Sequence, residues 1–512
     1  MSATEFDVVV IGGGLAGMAV LRDVARRGAS AMLFERGDLV SRGSMAAHGT
    51  IDTLDLELDR GLDASTRRAR EAEAAILVTS APHLARLVPV IALSSGERRG
   101  RALLARWDAT LALRARRGEP IDREALDARA AREREPGLSI DDERGAIVTR
   151  RLRLDAHRLG LAFARDAIEH GAELRLHDEV VSITHEGKSA RVKTATSEVT
   201  ARAVVLATGA FAIPGTSPPP AERRVHLVIE HSLTTHAIVQ HDASIVPFHN
   251  VTIVSSAAAP FDGAVDDTRV SRTEVRALLA SLGRVLPDLR PARVDAAYAS
   301  VRRIASASDP LAMPHGSPWS ARARAEQLGK KIALELGLSA ESGTTTAKVP
   351  GGEEVVDSFA FAERLTIPEA SARRLALRHG ARAIDLGARI AKRRIEASVV
   401  CACEPVMEAE IRHAVHLEHA RDVCDVGRRT GLGHGPCGGM RCAHRAAEIV
   451  RIERALPASE AHTMTRRFLA ERWVARAPAL DATTLAQEEL AHARWASSDP
   501  GRFGTDQEPK NG

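Results

Sequence analysis

The chain has 512 residues, long enough for two or more domains with their own cores, and its 71 basic and 67 acidic residues nearly cancel to a net charge of +4. That balance gives no basic footprint for nucleic acid, and aromatics at 3% give no stacking surface for single strands. No run approaches the ~18 apolar residues of a membrane span, and the N-terminus enters a strand with no basic region and cleavable apolar segment, so the chain is expected in the cytoplasm.

The first elements form one unit. Phe6-Asp7-Val8-Val9-Val10-Ile11 reads as a strand, and Gly12-Gly13-Gly14-Leu15-Ala16-Gly17 follows it. Residues 15–27 read as a helix with Val20, Leu21 and Val24 on one face and Gly28 as its stop. Ala31-Met32-Leu33-Phe34 is a second strand ending in Glu35. In this order Gly12 permits a tight turn, Gly14 lets backbone approach a pyrophosphate, and Gly17 lets helix pack on strand. Glu35 lies where a carboxylate accepts ribose hydroxyls. A bare Gly-x-Gly-x-x-Gly marks any glycine-rich turn, but here the strands, the helix and the acid are all in place, which predicts a nucleotide site.

Residues 36–49, from Arg36 through Ser44 to His48-Gly49, form a loop long enough to wrap a cofactor. Residues 53–135 are rich in Ala, Arg and Glu and are expected to be mainly helical, with the charges on solvated faces. A strand is expected over 145–150, then a helix from Asp155 to His170 stopped by Gly171. Strands follow near 173–184 and 190–196, and residues 203–208 read as a buried strand ending in a glycine turn. Pro218-Pro219-Pro220 marks a loop, and 225–256 alternates like antiparallel strands. Helices are expected over 272–286, 321–336 and 368–397, with a link over 337–353. A helical tail closes the chain, and residues 498–512 are polar enough for disorder.

All five cysteines lie between 401 and 442, and clustering of that kind points to a metal centre rather than to core thiols. Cys401-Ala402-Cys403 is followed by Cys437-Gly438-Gly439-Met440-Arg441-Cys442, two pairs that suit zinc or an iron–sulfur cluster. The Cys-x-Cys and Cys-x-x-x-x-Cys spacings fit the usual Cys-x-x-Cys zinc knuckle less well and favour iron–sulfur. Cys424 falls outside both pairs and is read as a buried free thiol.

With these residues in view, the chain resembles the large (A) subunits of anaerobic glycerol-3-phosphate dehydrogenases over nearly its whole length. The segments that carry the resemblance are the start through Glu35-Arg36-Gly37-Asp38-Leu39, Glu135-Pro136, Arg153-Leu154-Asp155, Ala207-Thr208-Gly209, Ser300-Val301-Arg302-Arg303 and Ser308-Asp309-Pro310. The most specific runs from Cys401 through Arg428-Arg429-Thr430-Gly431-Leu432-Gly433-His434-Gly435-Pro436-Cys437 to Cys442, and Phe468-Leu469-Ala470-Glu471-Arg472-Trp473 matches as well. The resemblance implies an α/β fold with a Rossmann-like FAD-binding domain of the glutathione-reductase/DAO type and an antiparallel-sheet substrate domain interleaved over 1–336. It further implies a helical linker over 337–397, a helical 2Fe-2S domain similar to bacterioferritin-associated ferredoxin (BFD) over 398–450, and a tail over 451–497.

The implied cofactor-binding residues are Gly12, Gly13, Gly14, Ala16, Gly17, Glu35, Arg36, Thr208 and Gly209 for FAD, and Cys401, Cys403, Cys437 and Cys442 for the 2Fe-2S cluster. The implied reaction is FAD-dependent oxidation of sn-glycerol 3-phosphate to dihydroxyacetone phosphate. Arg302 would hold the phosphate and His48 would serve as an acid–base group. Electrons would pass to further electron-transfer subunits and on to quinone, with peripheral association at the inner membrane through those partners. The sequence departs from the family in two places. His48-Gly49-Thr50 keeps only the first His-Gly of a longer family motif, and His315-Gly316-Ser317 puts Ser317 where a substrate-side Lys is expected, after a shortened strand. Two other readings share the same frame: an electron-transfer or assembly subunit with a degenerate flavin site, and a flavin enzyme for another substrate such as an amino acid.

Overall fold

The structure, a computed structural model, describes residues 4–47, 49–51, 64–93, 116, 123–140, 145–211, 220–230, 232–240, 242–287, 294–303 and 317–498. His48, Pro218, Pro219, Ser308, Asp309, Pro310, His315, Gly316 and the tail beyond 498 lie outside the described residues.

A six-stranded sheet holds the N-terminal unit, in the order Glu173–Leu176, Ala31–Glu35, Thr4–Ile11, Glu198–Leu206, Ser189–Thr194, Val180–Glu186. The first four strands are parallel, and the last two form a hairpin whose inner strand runs antiparallel to Glu198–Leu206. The strand Thr4–Ile11 is buried on both faces, which is why it reads as a continuous apolar run. On one face Val8, Val10 and Leu33 pack against helices Leu15–Arg26, Ala156–Glu169 and Ala321–Leu336. On the other, Phe6, Val9, Met32 and Phe34 pack against Val192 and Ala201. Asp155 caps the helix Ala156–Glu169 by accepting from the Arg158 N–H at 2.8 Å. Arg22 is fully buried in the helix layer and is neutralised there by an ion pair with Asp166.

The second sheet has nine strands, and near one end of it Ala221–Ile229 pairs antiparallel to Val294–Arg303, Val251–Ser256 and Ala259–Phe261. It adds two strands to the stretch 53–135 expected from sequence to be mainly helical. Helices cover Ala64–Ser80 and Ala128–Arg134, but Ala85–Leu93 and Arg123–Leu126 are strands that both pair with Ala146–Leu154. The sequence Val88-Pro89-Val90-Ile91 explains it. β-Branched residues suit a strand, and pairing on both flanks outweighs the surrounding Ala and Arg content. Likewise 173–196 holds three strands rather than two, because Glu173–Leu176 joins the parallel sheet while Val180–Glu186 turns back into the hairpin.

The C-terminal residues form helices around two connected cores. Phe361, Leu375, Leu386 and Ile390 pack with Met407 and Ala409, so helices Ser358–Leu365, Glu369–His379 and Ala383–Lys392 lie directly on the start of the cysteine segment. The second core joins Val406, Ile411, Val426 and Ile449 to Phe468 and Leu469 of the helix Ala458–Arg476. Among the described residues, no helix is long and apolar enough to cross a membrane.

Candidate functional site

A cleft of about 1880 Å³ runs from the glycine turn, across the second sheet, to the C-terminal helices. At its base the strand Thr4–Ile11 stops and the chain enters the helix Leu15–Arg26. Gly12 has φ of +111°, and a Cβ there would collide with the Ala207 carbonyl of the neighbouring strand. A Cβ on Gly17 would collide with the Gly12 carbonyl, so helix and strand meet this closely only through glycine. Gly14 is different. Its Cβ would meet only the Ser44 hydroxyl, at 3.3 Å, and otherwise face the cleft. Ala16 also lines the cleft on the helix's first turn.

Glu35 ends the second strand and is clamped by two backbone donors. Gly13 N–H donates to Oε2 at 2.6 Å and Gly37 N–H to Oε1 at 2.8 Å. Arg36 lies over the Phe211 ring, 4.0 Å from its centroid, and reaches Glu179 at 3.7 Å. Thr208 and Gly209 follow the strand Glu198–Leu206, with Thr208 Oγ1 donating to the Phe211 carbonyl at 3.0 Å and Gly209 at φ +62°. Sequence reasoning does not single out Ser44. Its Oγ accepts from the Leu15 N–H at 3.0 Å and so caps the helix N-terminus from the 36–49 loop. The length of that loop suggests a cofactor wrap, but nothing in its spacing distinguishes Ser44 from Ser41.

The far wall of the cleft is the second sheet. Arg302 lines it at 55% side-chain exposure, with its Nε and Nη2 both on Glu222 Oε2 at 2.9 and 2.8 Å. The phosphate holder expected from sequence therefore already has a carboxylate partner, two strands meeting at the Glu222–Arg302 register. Beside it buried His226 stacks on half-buried Tyr298, 4.9 Å between centroids. His226 shares hydrogen bonds with Ser255 and Ser300 at 2.8 Å each, and burial, helped by Arg224, pushes its pKa down to about 3. Ser317, where the Lys was expected, caps the turn Pro318–Ser320 by accepting from the Trp319 N–H at 3.3 Å. Arg324 lines the same part of the cleft, its Nη2 donating to the Ser317 carbonyl at 3.3 Å.

The C-terminal helices close the third side. Cys403 Sγ donates to Cys437 Sγ at 3.8 Å, and Cys401 and Cys442 form a second hydrogen-bonded pair. Accepting from Cys442, together with backbone donors Gly433 and Glu404, draws Cys401 down to about 6 despite burial. Two thiolates on one tetrahedral metal sit about 3.8 Å apart, so Cys403 and Cys437 have the spacing of two ligands on one metal. Among the described residues, three ligand atoms lie within 4.8 Å of one another at His379, His413 and Glu418. Cys424 is buried apart from both pairs, and burial raises its pKa. A Cβ on Gly433 or Gly439 would collide with the Phe468 ring, so the cysteine loop wraps this side chain closely. The His379, His413 and Glu418 group is no cation site. Arg158 sits among them, 3.0 Å from His379 Nδ1 and 2.8 Å from Glu418.

Two ion networks join this module to the N-terminal unit, and sequence reading finds neither. Arg429 donates to both Asp38 oxygens, at 2.6 and 2.9 Å, and Arg428 Nε adds a third bond at 3.0 Å. Burial alone would raise the Asp38 pKa, but these two guanidinium groups hold it well below the usual carboxylate range. Arg158, Glu418 and His379 make the second junction. Partners hundreds of residues apart leave no local signal.

Comparison with known proteins matches residues 7–324 to the family described as FAD dependent oxidoreductase, and residues 342–459 to the C-terminal domain of alpha-glycerophosphate oxidase. One subunit of the anaerobic glycerol-3-phosphate dehydrogenase of Escherichia coli K12 is 27% identical, covering 99% of this chain and 98% of its own. The glycerol-3-phosphate dehydrogenase of Bacillus halodurans, solved with FAD, superposes with a TM-score of 0.74 at 18% identity, over 94% of this chain and 97% of that one. Glycine oxidase from Geobacillus kaustophilus superposes with a TM-score of 0.54 at 22% identity, over 65% of this chain and 95% of that one.

Proposed function

The chain belongs to the FAD dependent oxidoreductase family and is an oxidoreductase, and we propose that it oxidises sn-glycerol 3-phosphate to dihydroxyacetone phosphate and passes the electrons through a 2Fe-2S centre to partner subunits and quinone. The observation that carries this reading is the continuous cleft, which has the glycine turn at one end, a cationic sheet wall at its middle and the cysteine module at its third side. Whole-length similarity to one subunit of a multi-subunit dehydrogenase supports the substrate and the existence of partners.

FAD supplies the hydride acceptor when bound, and a 2Fe-2S centre supplies a one-electron relay. The chain's own residues do the rest. The N-terminus of the helix Leu15–Arg26 and the open face of Gly14 receive the pyrophosphate. The Ser44 hydroxyl accepts from Leu15 and keeps its own proton to donate to a phosphate oxygen. Glu35, fixed by Gly13 and Gly37, retains lone pairs for ribose hydroxyls. Arg36, Thr208 and Gly209 line the cofactor's edge. Arg302 and Arg324 give the substrate end its positive charge. His48, by its motif, takes the proton of the C2 hydroxyl. Cys401, Cys403, Cys437 and Cys442 would hold the iron–sulfur centre, with Cys403 and Cys437 already at ligand spacing.

The test is a visible spectrum of protein purified without oxygen, then mixed with glycerol 3-phosphate. Flavin bands near ~450 nm should bleach on mixing, over broad iron–sulfur absorbance. Serine at any of the four cysteines should remove that broad absorbance, and Cys424→Ser should leave it. Stoichiometric zinc without iron refutes the cluster. Flavin that stays oxidised refutes the substrate, and bleaching by an amino acid instead assigns the alternative one.

A further inference from the structure

We infer that Arg472 is the fixed cation that raises the reduction potential of the metal centre from the flavin side; the inference rests on the reading of Cys401, Cys403, Cys437 and Cys442 as 2Fe-2S ligands. Arg472 lies on the helix Ala458–Arg476, four residues after Phe468 and so on the same helical face. Phe468 is the side chain around which Gly433 and Gly439 of the cysteine loop close, so that face looks onto the cysteine loop. Arg472 also lines the cleft. One guanidinium therefore borders both the flavin cleft and the cysteine module.

Arg472 Nε is buried and has no hydrogen-bond partner among the described residues. Asp295 and Arg476, 3.5 Å apart, act on it with opposite sign, and Arg476 also pairs with Glu488 at 2.9 Å. Next come the sulfurs of Cys437 and Cys442. These two belong to different thiol pairs, one with Cys403 and one with Cys401, so Arg472 acts on both halves of the centre. Two other cations near the module are engaged. Arg374 is paired with Glu404, and Arg378 with Glu410 at 2.9 Å. Burial lowers the Arg472 pKa to about 10, which leaves it charged at neutral pH.

Reducing a 2Fe-2S centre adds one electron and no proton, converting one of two ferric ions to ferrous, so the whole negative charge stays on the cluster. A fixed positive charge in a partly dry site stabilises that reduced form more than the oxidised one. The electron comes from dithionite in the test below, and from the reduced flavin in the proposed reaction. A cation between donor and acceptor thus makes transfer toward the cluster more favourable.

The test uses the full chain purified anaerobically with its cluster, titrated with dithionite through redox mediators, and followed by the electron paramagnetic resonance signal of the reduced centre. Arg472→Gln should lower the midpoint potential by at least about 59 mV, a tenfold loss in the one-electron reduction equilibrium. Arg472→Lys keeps the charge and should recover most of it. Arg466→Gln removes the same charge from an exposed position of the same helix and should shift nothing measurable. Arg472→Met, which keeps the aliphatic stem, replaces Arg472→Gln if that protein does not fold. A wild-type potential in the neutral variant overturns the inference. So does an unmoved potential with a raised KM for glycerol 3-phosphate, which would assign Arg472 to substrate. Wild-type protein without iron fails the cysteine reading itself, whereas a cluster that titrates identically in all variants fails this inference alone.

Discussion

Individual residues at the cleft separate into those the fold needs and those a ligand needs. Gly12 and Gly17 are fixed by contacts within the protein, whereas Gly14 faces only the Ser44 hydroxyl and open cleft. Gly14→Val should therefore leave folding and the cluster intact and abolish flavin uptake, measured as the flavin-to-protein ratio after dialysis against FAD. Arg302 is governed by Glu222. A dianionic phosphate at Arg302 must displace or share a carboxylate 2.8 Å away, in a half-exposed setting where charges are screened. Arg302→Ala is expected to raise KM for glycerol 3-phosphate by about one to two decades, matching the ~1.5–3 kcal/mol of a charged hydrogen bond. Glu222→Gln should move KM the other way, since it removes the competing charge. Steady-state kinetics on both variants checks the pair, and equal KM in all three proteins would place the phosphate elsewhere.

Elements matter here by how they are tied together. The helix Val423–Thr430 carries Arg428 and Arg429 onto Asp38, in the loop that follows the Glu35 strand. Arg429 is fully buried, so its charge has no recourse to water if Asp38 is lost. Asp38→Ala should cost about 3–5 kcal/mol, the usual result of stranding one partner of a buried pair. Asp38→Ala with Arg429→Leu should cost less than Asp38→Ala alone, because the buried charge is no longer stranded. Thermal unfolding of the two proteins decides it. If both variants lose the same stability, the clamp is a surface contact and the two units are held by packing. The same helix also shows how local and tertiary contacts divide the work: Asp422 at its N-cap and Gly431 at its C-cap set its ends through near neighbours, while its partner Asp38 comes from the far end of the chain.

On the scale of the whole molecule, buried His226 and His379 and half-buried His83 set a pH limit. Burial is the main cause in each, pushing His83 and His226 down to about 3 and His379 to about 4, with Arg158 contributing at His83 and His379 and Arg224 at His226. Unfolded, each titrates near ~6.5. The unfolded chain therefore binds more protons below that pH, and stability falls as pH drops from about 6.5 toward 3–4, by roughly 1.4 kcal/mol per pH unit for each fully titrating group. Above about pH 6.5 these groups should contribute no slope. Denaturant unfolding across the acid and neutral range checks the sign, and His226→Gln should flatten the acid limb by about one proton.

The sequence by itself determined the strand–turn–helix start, the cysteine spacing and the helices over 15–27, 155–170 and 321–336, because these rest on contacts between near neighbours: a short glycine turn, a cap, a helical stripe. Only the tertiary structure decided that Ala85–Leu93 is a strand, that Arg302 faces Glu222, that Ser44 caps the glycine turn's helix, and that Asp38 receives two arginines from the far end of the chain. Each of these is a pairing between residues well separated in sequence. Its energy comes from burial and from charges meeting in a low-dielectric interior, so no local pattern of residues records it.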